Sequence, residues 1–249
     1  MIHKDALPDD ISDGIVKVSE LLREGKKHKA MRKLRVLRKR CPDNWHFRLM
    51  AFGLSYKADY LDDALDDARF LAENARSNED KLNLAECLIR MNRYEEAEGV
   101  LSECSDLSGK SARYHFLLGS LKHRKGDIPS ANEEFTRVFS AERKKGEWSY
   151  RMNAHLLLAR NFLDEGRIED AKREARLAVR EAEDPEILAE AVVAMDSPII
   201  IYEVAAEVVG TKKGPLDKNT REFIEALRLS ADAEESDIIE WLKEGRPQH

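Results

Sequence analysis

One phrase recurs along this chain and limits what it can become. Residues 25–30, 59–64, 92–97, 126–131 and 166–171 read GKKHKA, DYLDDA, NRYEEA, GDIPSA and GRIEDA. Each has Gly, Asn or Asp at its head and an alanine five positions later. The alanines, Ala30, Ala64, Ala97, Ala131 and Ala171, stand 34, 33, 34 and 40 residues apart. Such a period marks stacked supersecondary units, none of which buries its apolar face alone. Gly, Asn and Asp tolerate the left-handed backbone that ends a helix. In four of the five phrases a large apolar or aromatic residue follows two positions later (Leu61, Tyr94, Ile128, Ile168), and the alanine is small enough for two helices to approach closely. The phrase therefore predicts a tight turn between antiparallel helices.

Apolar spacing on either side agrees. Ala30, Leu34, Leu37 and Cys41 share one helix face, as do Ala131, Phe135 and Val138, and Ala171, Ala175 and Ala178. Strand-forming runs are scarce, and 36% charged residues with 12 Gly and 7 Pro fit an all-α chain.

These residues resemble the tetratricopeptide repeat. Leu84, Ala85, Leu88, Tyr94, Ala97 and Leu101 follow the family's pattern, as do Leu118, Gly119, Ile128, Ala131 and Phe135, while Lys17 and Lys122 depart from it. The resemblance implies a right-handed superhelical α-solenoid in which the first helix of each hairpin lines a concave, peptide-binding groove. The family's groove positions fall on His46, Leu49, Tyr56 and Lys57, then Leu82, Glu86 and Arg90, then Arg113, Phe116, His123 and Arg124, and last Asn153, Leu156 and Arg160. Cations with apolar pockets between them suit an acidic peptide. The lysine–asparagine set with which some members grip a terminal carboxylate is missing, because Ser19 and Met50 occupy its aligned positions and Asn83 stands alone. His115 and His155 fall where the family has a bulky packing residue.

The chain divides into a tail over 1–10, five repeats over 11–184, and a divergent hairpin with a C-terminal cap over 185–249. Six extra residues before the fifth repeat predict an extended turn or lengthened helices around residues 144–149. Asp184 and Ser197, each before a proline, read as N-caps, and Asn219 with Glu222 resembles a capping box. Residues 212–215 read as a loop, and a final helix over 236–244 would present Ile238, Trp241 and Leu242 together.

Charge supplies a second reading. Residues 23–40 hold ten Lys or Arg against the single acid Glu24, with Lys26, Lys27, Lys29, Arg32, Lys33, Arg35, Arg38, Lys39 and Arg40 forming a basic patch. Nucleic acid is one expected partner for such a helix. Pairing with Asp59, Asp62, Asp63, Asp66 and Asp67 of the next repeat is the other. A third reading is a homo-oligomer joined through Ile199, Ile200, Ile201, Val204 and Val208.

Phosphate loops, dinucleotide fingerprints, zinc-protease motifs and nucleophile elbows are missing, so no enzyme, cofactor or metal site is expected. Cys41, Cys87 and Cys104 have no ligand spacing and are an odd number, which points to a reducing compartment. Without a signal-like start or a membrane-length apolar run, the expectation is a cytoplasmic, adaptor-like or chaperone-like scaffold for another protein.

Overall fold

The computed structural model describes residues 7–143 and 146–209. Regular structure among them is entirely helical. Twelve α-helices follow in chain order: α1 (Asp9–Arg23), α2 (Lys27–Arg40), α3 (Trp45–Lys57), α4 (Leu61–Glu73), α5 (Asn78–Arg90), α6 (Tyr94–Glu103), α7 (Ala112–Arg124), α8 (Ile128–Ser140), α9 (Trp148–Asp164), α10 (Ile168–Glu181), α11 (Pro185–Val193) and α12 (Pro198–Val209), with a short 3-10 turn at Ser105–Leu107. The chain forms two compact units, residues 1–108 with the first three hairpins and residues 109–249 with the rest. Within each, a helix packs on its hairpin partner and on a neighbouring hairpin, as α4 does on α3 and α5, and α10 on α9 and α12.

The five phrases are the five hairpin turns. Their heads, Gly25, Asp59, Asn92, Gly126 and Gly166, all have positive φ, between 58° and 83°. At each, two backbone bonds close the preceding helix. The head N–H reaches the carbonyl three residues back, as from Gly25 to Leu22 at 3.0 Å, and the next N–H reaches five back, as from Lys26 to Leu21 at 2.8 Å. This double closure satisfies carbonyls that a helix end otherwise leaves orphaned. Asp59 and Asn92 adopt it at some conformational cost that glycine avoids. The five alanines are at most 1% exposed.

A polar bracket crosses the hairpin in three places. Eleven residues before the head and eight after it stand Arg48 and Asp67, His115 and Glu134, and His155 and Glu174, bonded at 2.7, 2.9 and 2.8 Å. The histidines are buried, as expected for packing residues, but each also bonds to a carboxylate. His155 stacks on Phe139 with centroids 3.9 Å apart. Gly119 permits another close approach, since a Cβ there would lie 2.6 Å from the Phe135 ring.

The extra residues before the fifth repeat lengthen α9, which has 17 residues against 13 in α3, α5 and α7. Asp184 caps α11 by accepting from the N–H groups of Glu186 and Ile187, and the Ser197 hydroxyl accepts from Ile200 N–H at 3.5 Å. The apolar face of α12 is not left for a second copy. Ile200, Ile201 and Val204 are at most 1% exposed in a cluster with Met152, Leu156, Ala175 and Leu188, Val208 packs against it, and Ile199 remains 40% exposed. That corrects the expectation of an oligomerising face, because α9, α10 and α11 cover it. The loop over 212–215, the Asn219 cap and the helix over 236–244 lie outside the described residues. No described helix is long and apolar enough to cross a membrane.

Candidate functional site

The basic helix α2 meets α4 as the charge pattern anticipated. Arg35 forks onto Asp63 at 2.6 and 2.9 Å, and Arg38 bridges Asp63 and Asp67 at 2.9 and 2.6 Å. From α3, Arg48 reaches Asp66 and Asp67 at 2.8 and 2.7 Å, and Arg40 pairs with Asp10. Burial pushes the fully covered Asp67 carboxyl up, and the two guanidiniums offset this only in part. Burial acts on Asp63 as well, yet Arg35 and Arg38 together hold it below the usual range. Lys26 pairs with Glu24. The remaining patch residues, Lys27, Lys29, Arg32, Lys33 and Lys39, form no ion pair among the described residues.

The first helices carry the expected groove residues, but not all reach the surface. Leu82 and Leu156 are 0% exposed and belong to the core. Leu49 and Glu86 are half-buried, while His46 lies exposed against Trp45. Arg90 lies over the Tyr56 ring at 4.6 Å, donates to the Tyr56 carbonyl at 2.9 Å and pairs with Asp59 at 3.0 Å. Burial and the neighbouring Glu86 charge push the Tyr56 phenol up, so it remains a neutral donor.

In the second unit Phe116 packs against Tyr150, centroids 5.4 Å apart, with the Arg113 guanidinium 5.8 Å from the same ring. His123 is half-buried, and burial with the nearby Arg124 charge pushes its pKa down, favouring the neutral ring. Arg124 is exposed. Asn153 donates to the Ser149 carbonyl. Arg160 is held by the turn after α11, donating to the Met195 and Asp196 carbonyls at 2.7 and 2.9 Å.

A cavity of 370 Å³ opens in the first unit between the ends of α1 and α3 and the start of α2. Leu22, Leu54 and Ala58 line it with apolar surface, Ser19 lies at its wall, and Arg23, Lys27 and Lys57 bring three cations to it. None of the three forms an ion pair among the described residues. The nearby acids Glu20 and Glu24 are already paired, with Lys17 and Lys26 at 2.6 and 2.7 Å. Sequence reasoning placed Lys57 in the groove and Lys27 in the basic patch without joining them. The available signal was Lys27 itself, which stands where the other turns have Leu61, Tyr94, Ile128 and Ile168. Tyr150 was also missed, although it supplies the aromatic neighbour of Phe116 and Arg113.

Ser19 and Asn83 donate to the carbonyls of Ile15 and Asp80. No group of His, Cys, Asp and Glu among the described residues is arranged to hold a metal ion. Burial pushes the Cys87 thiol up to about 11 and also raises Cys104, so neither is a reactive thiolate near neutral pH.

No protein-family profile and no curated protein sequence matches the chain. Its structure is similar to the crystal structure of a tetratricopeptide repeat protein from Parabacteroides merdae ATCC 43184. The two share 17% identity with a TM-score of 0.57, over 91% of this chain and 86% of that one. At that identity the likeness establishes the fold, a tetratricopeptide-like array of helical hairpins.

Proposed function

We propose that this protein is a non-catalytic interaction module, an adaptor that holds a segment of a partner protein against the first helices of its hairpins. The observation that carries this reading is that cations lie beside apolar or aromatic side chains on the first helices. Arg23 and Lys57 border a cavity lined by Leu22 and Leu54. The Arg90 guanidinium lies over the Tyr56 ring, and that of Arg113 stands 5.8 Å from the Tyr150 ring against which Phe116 packs. Cations and apolar anchors side by side favour a peptide over a small substrate. The free, largely buried thiols support a reducing, cytoplasmic setting.

A photo-crosslinking amino acid at Phe116, compared with one at Val36 on the exposed face of α2, tests the reading. Partner proteins are expected to crosslink from position 116 and not from 36. Crosslinking from 36 alone would overturn it.

The second reading, a nucleic-acid regulator, is favoured by the five unpaired cations of α2. It requires steeply salt-dependent binding of DNA or RNA that is lost when Lys29, Arg32 and Lys39 are reversed in charge.

A further inference from the structure

We propose that the cavity bounded by Leu22, Leu54 and Ala58 is an anchoring pocket for one large aliphatic side chain of a partner peptide, with acidic residues flanking that side chain held at the rim by Arg23, Lys27 and Lys57. The inference rests on the peptide-binding reading above and gives the bound segment a chemistry.

The cavity borders a turn that differs from the others. In the other four hairpins the residue two positions after the head is large and apolar or aromatic, and it opens the second helix; in the first hairpin it is Lys27, which lines the cavity. A lysine stem covers apolar surface while its ammonium stays in water, so the position contributes charge to a space lined by leucine and alanine. At 370 Å³ the space is near the lower end of the roughly 300–1,000 Å³ typical of ligand pockets. That is room for one branched side chain with some flanking backbone.

Among the described residues the rim charge has no ion-pair partner. Arg23 and Lys57 close α1 and α3, where the helix dipole favours a cation without a carboxylate. Lys27 stands at the start of α2, whose first turn holds no acid. The first turns of α4, α6 and α10 hold Asp62 and Asp63, Glu95 and Glu96, and Glu169 and Asp170. Positive charge therefore concentrates at the mouth of an apolar space. A buried carboxylate would lose hydration, so the acids belong at the wet rim and the aliphatic group inside. Phosphate contacts alone need no apolar floor, which favours a peptide over nucleic acid here.

The test uses the full chain and a fluorescein-labelled nonapeptide with one central leucine, two glutamates on each side and glycine–serine ends, followed by anisotropy in 50 mM salt. Saturable binding is expected, weakened about tenfold, or roughly 1.4 kcal/mol, when serine replaces the peptide leucine or glutamine replaces its glutamates. Lys27→Leu restores the residue type of the other turns, so the chain is expected to fold while binding falls at least tenfold; Arg23→Glu with Lys57→Glu should do the same. Lys29→Glu with Arg32→Glu and Lys39→Glu, on the outward face of α2, should leave binding within about twofold. Absence of saturable binding, equal loss in that outward variant, indifference to the peptide leucine, or displacement by single-stranded DNA dependent on the outward face would each overturn the proposal. Crosslinking from position 116 is independent of this pocket. If it succeeds while the peptide fails to bind, only the anchoring proposal falls.

Discussion

In the hairpin of α3 and α4 the polar bracket is Arg48 with Asp67; in that of α9 and α10 the same two places hold His155 and Glu174. The turn sets the places, and the residues set how far the contact extends. Arg48 carries a permanent charge, and Asp67 also accepts from Arg38 of the preceding hairpin, so the bracket becomes part of a network joining α2, α3 and α4. The imidazole of His155 hydrogen-bonds within its own hairpin and reaches the preceding one only by stacking on Phe139. There the contact with the next hairpin has an apolar core, made by Ala175 and Ala178 with Leu188, Ile200, Ile201 and Val204, and is flanked by ion pairs of Lys172 and Arg176 with Glu203 and of Arg180 with Glu207, none of which involves the bracket. One slot thus carries an inter-hairpin charge network in the first unit and a hydrogen bond internal to the hairpin in the second.

The comparison predicts unequal costs. Asp67→Asn removes the charge shared by two largely buried guanidiniums and should cost about 3–5 kcal/mol, the range for breaking a buried ion pair by removing one partner. Hydrogen exchange should accelerate in α2, α3 and α4 together. A loss below about 1 kcal/mol, or faster exchange in α3 and α4 with α2 unchanged, would show that the aspartate is no tie.

His155→Leu leaves Glu174 without its 2.8 Å partner and should cost less, about 1–3 kcal/mol for an orphaned buried acceptor. Exchange should quicken in α9 and α10, with the α12 core protected longer. Equal loosening of α12 would erase the difference between the two brackets.

The smallest effect is in acid. Asp63 is held below its ordinary value of 3.8, so it contributes stability that is present above that value and lost as pH falls through its lower folded value. Asp67 is raised and acts with the opposite sign, gaining stability as pH falls towards 3.8. Asp63→Asn should therefore flatten the loss of stability below about pH 4, measured as the pH dependence of the urea midpoint. An unchanged slope would place the acid sensitivity elsewhere.

Much of the fold was legible because a left-handed helix end has few acceptable residues. Gly25, Asp59, Asn92, Gly126 and Gly166 announced their turns, and an alanine five positions on announced close packing. The acid on α4 facing the base on α2 was legible from charge alone. The brackets were harder to see, since Glu134 and Glu174 lie nineteen residues from their histidines and read as ordinary helix-surface acids. Their clue is that each interrupts an otherwise apolar face, beside Phe135 and Ala175. The cavity was least legible, because its walls come from the ends of α1 and α3 and the start of α2, which only folding brings together. Groove assignment by alignment also could not distinguish a surface leucine from Leu82 and Leu156, whose exposure depends on neighbouring hairpins.

The bracket also acts as a ruler on inheritance. Each one closes a nineteen-residue loop around a fixed turn, so inserting or deleting a residue inside that loop would rotate one partner away from the other. The six extra residues of the fifth repeat fall between Glu134 and His155, after one bracket has closed and before the next begins. Length can drift in the connectors while each stapled hairpin is copied whole, making the hairpin the natural unit for grafting or duplicating this scaffold.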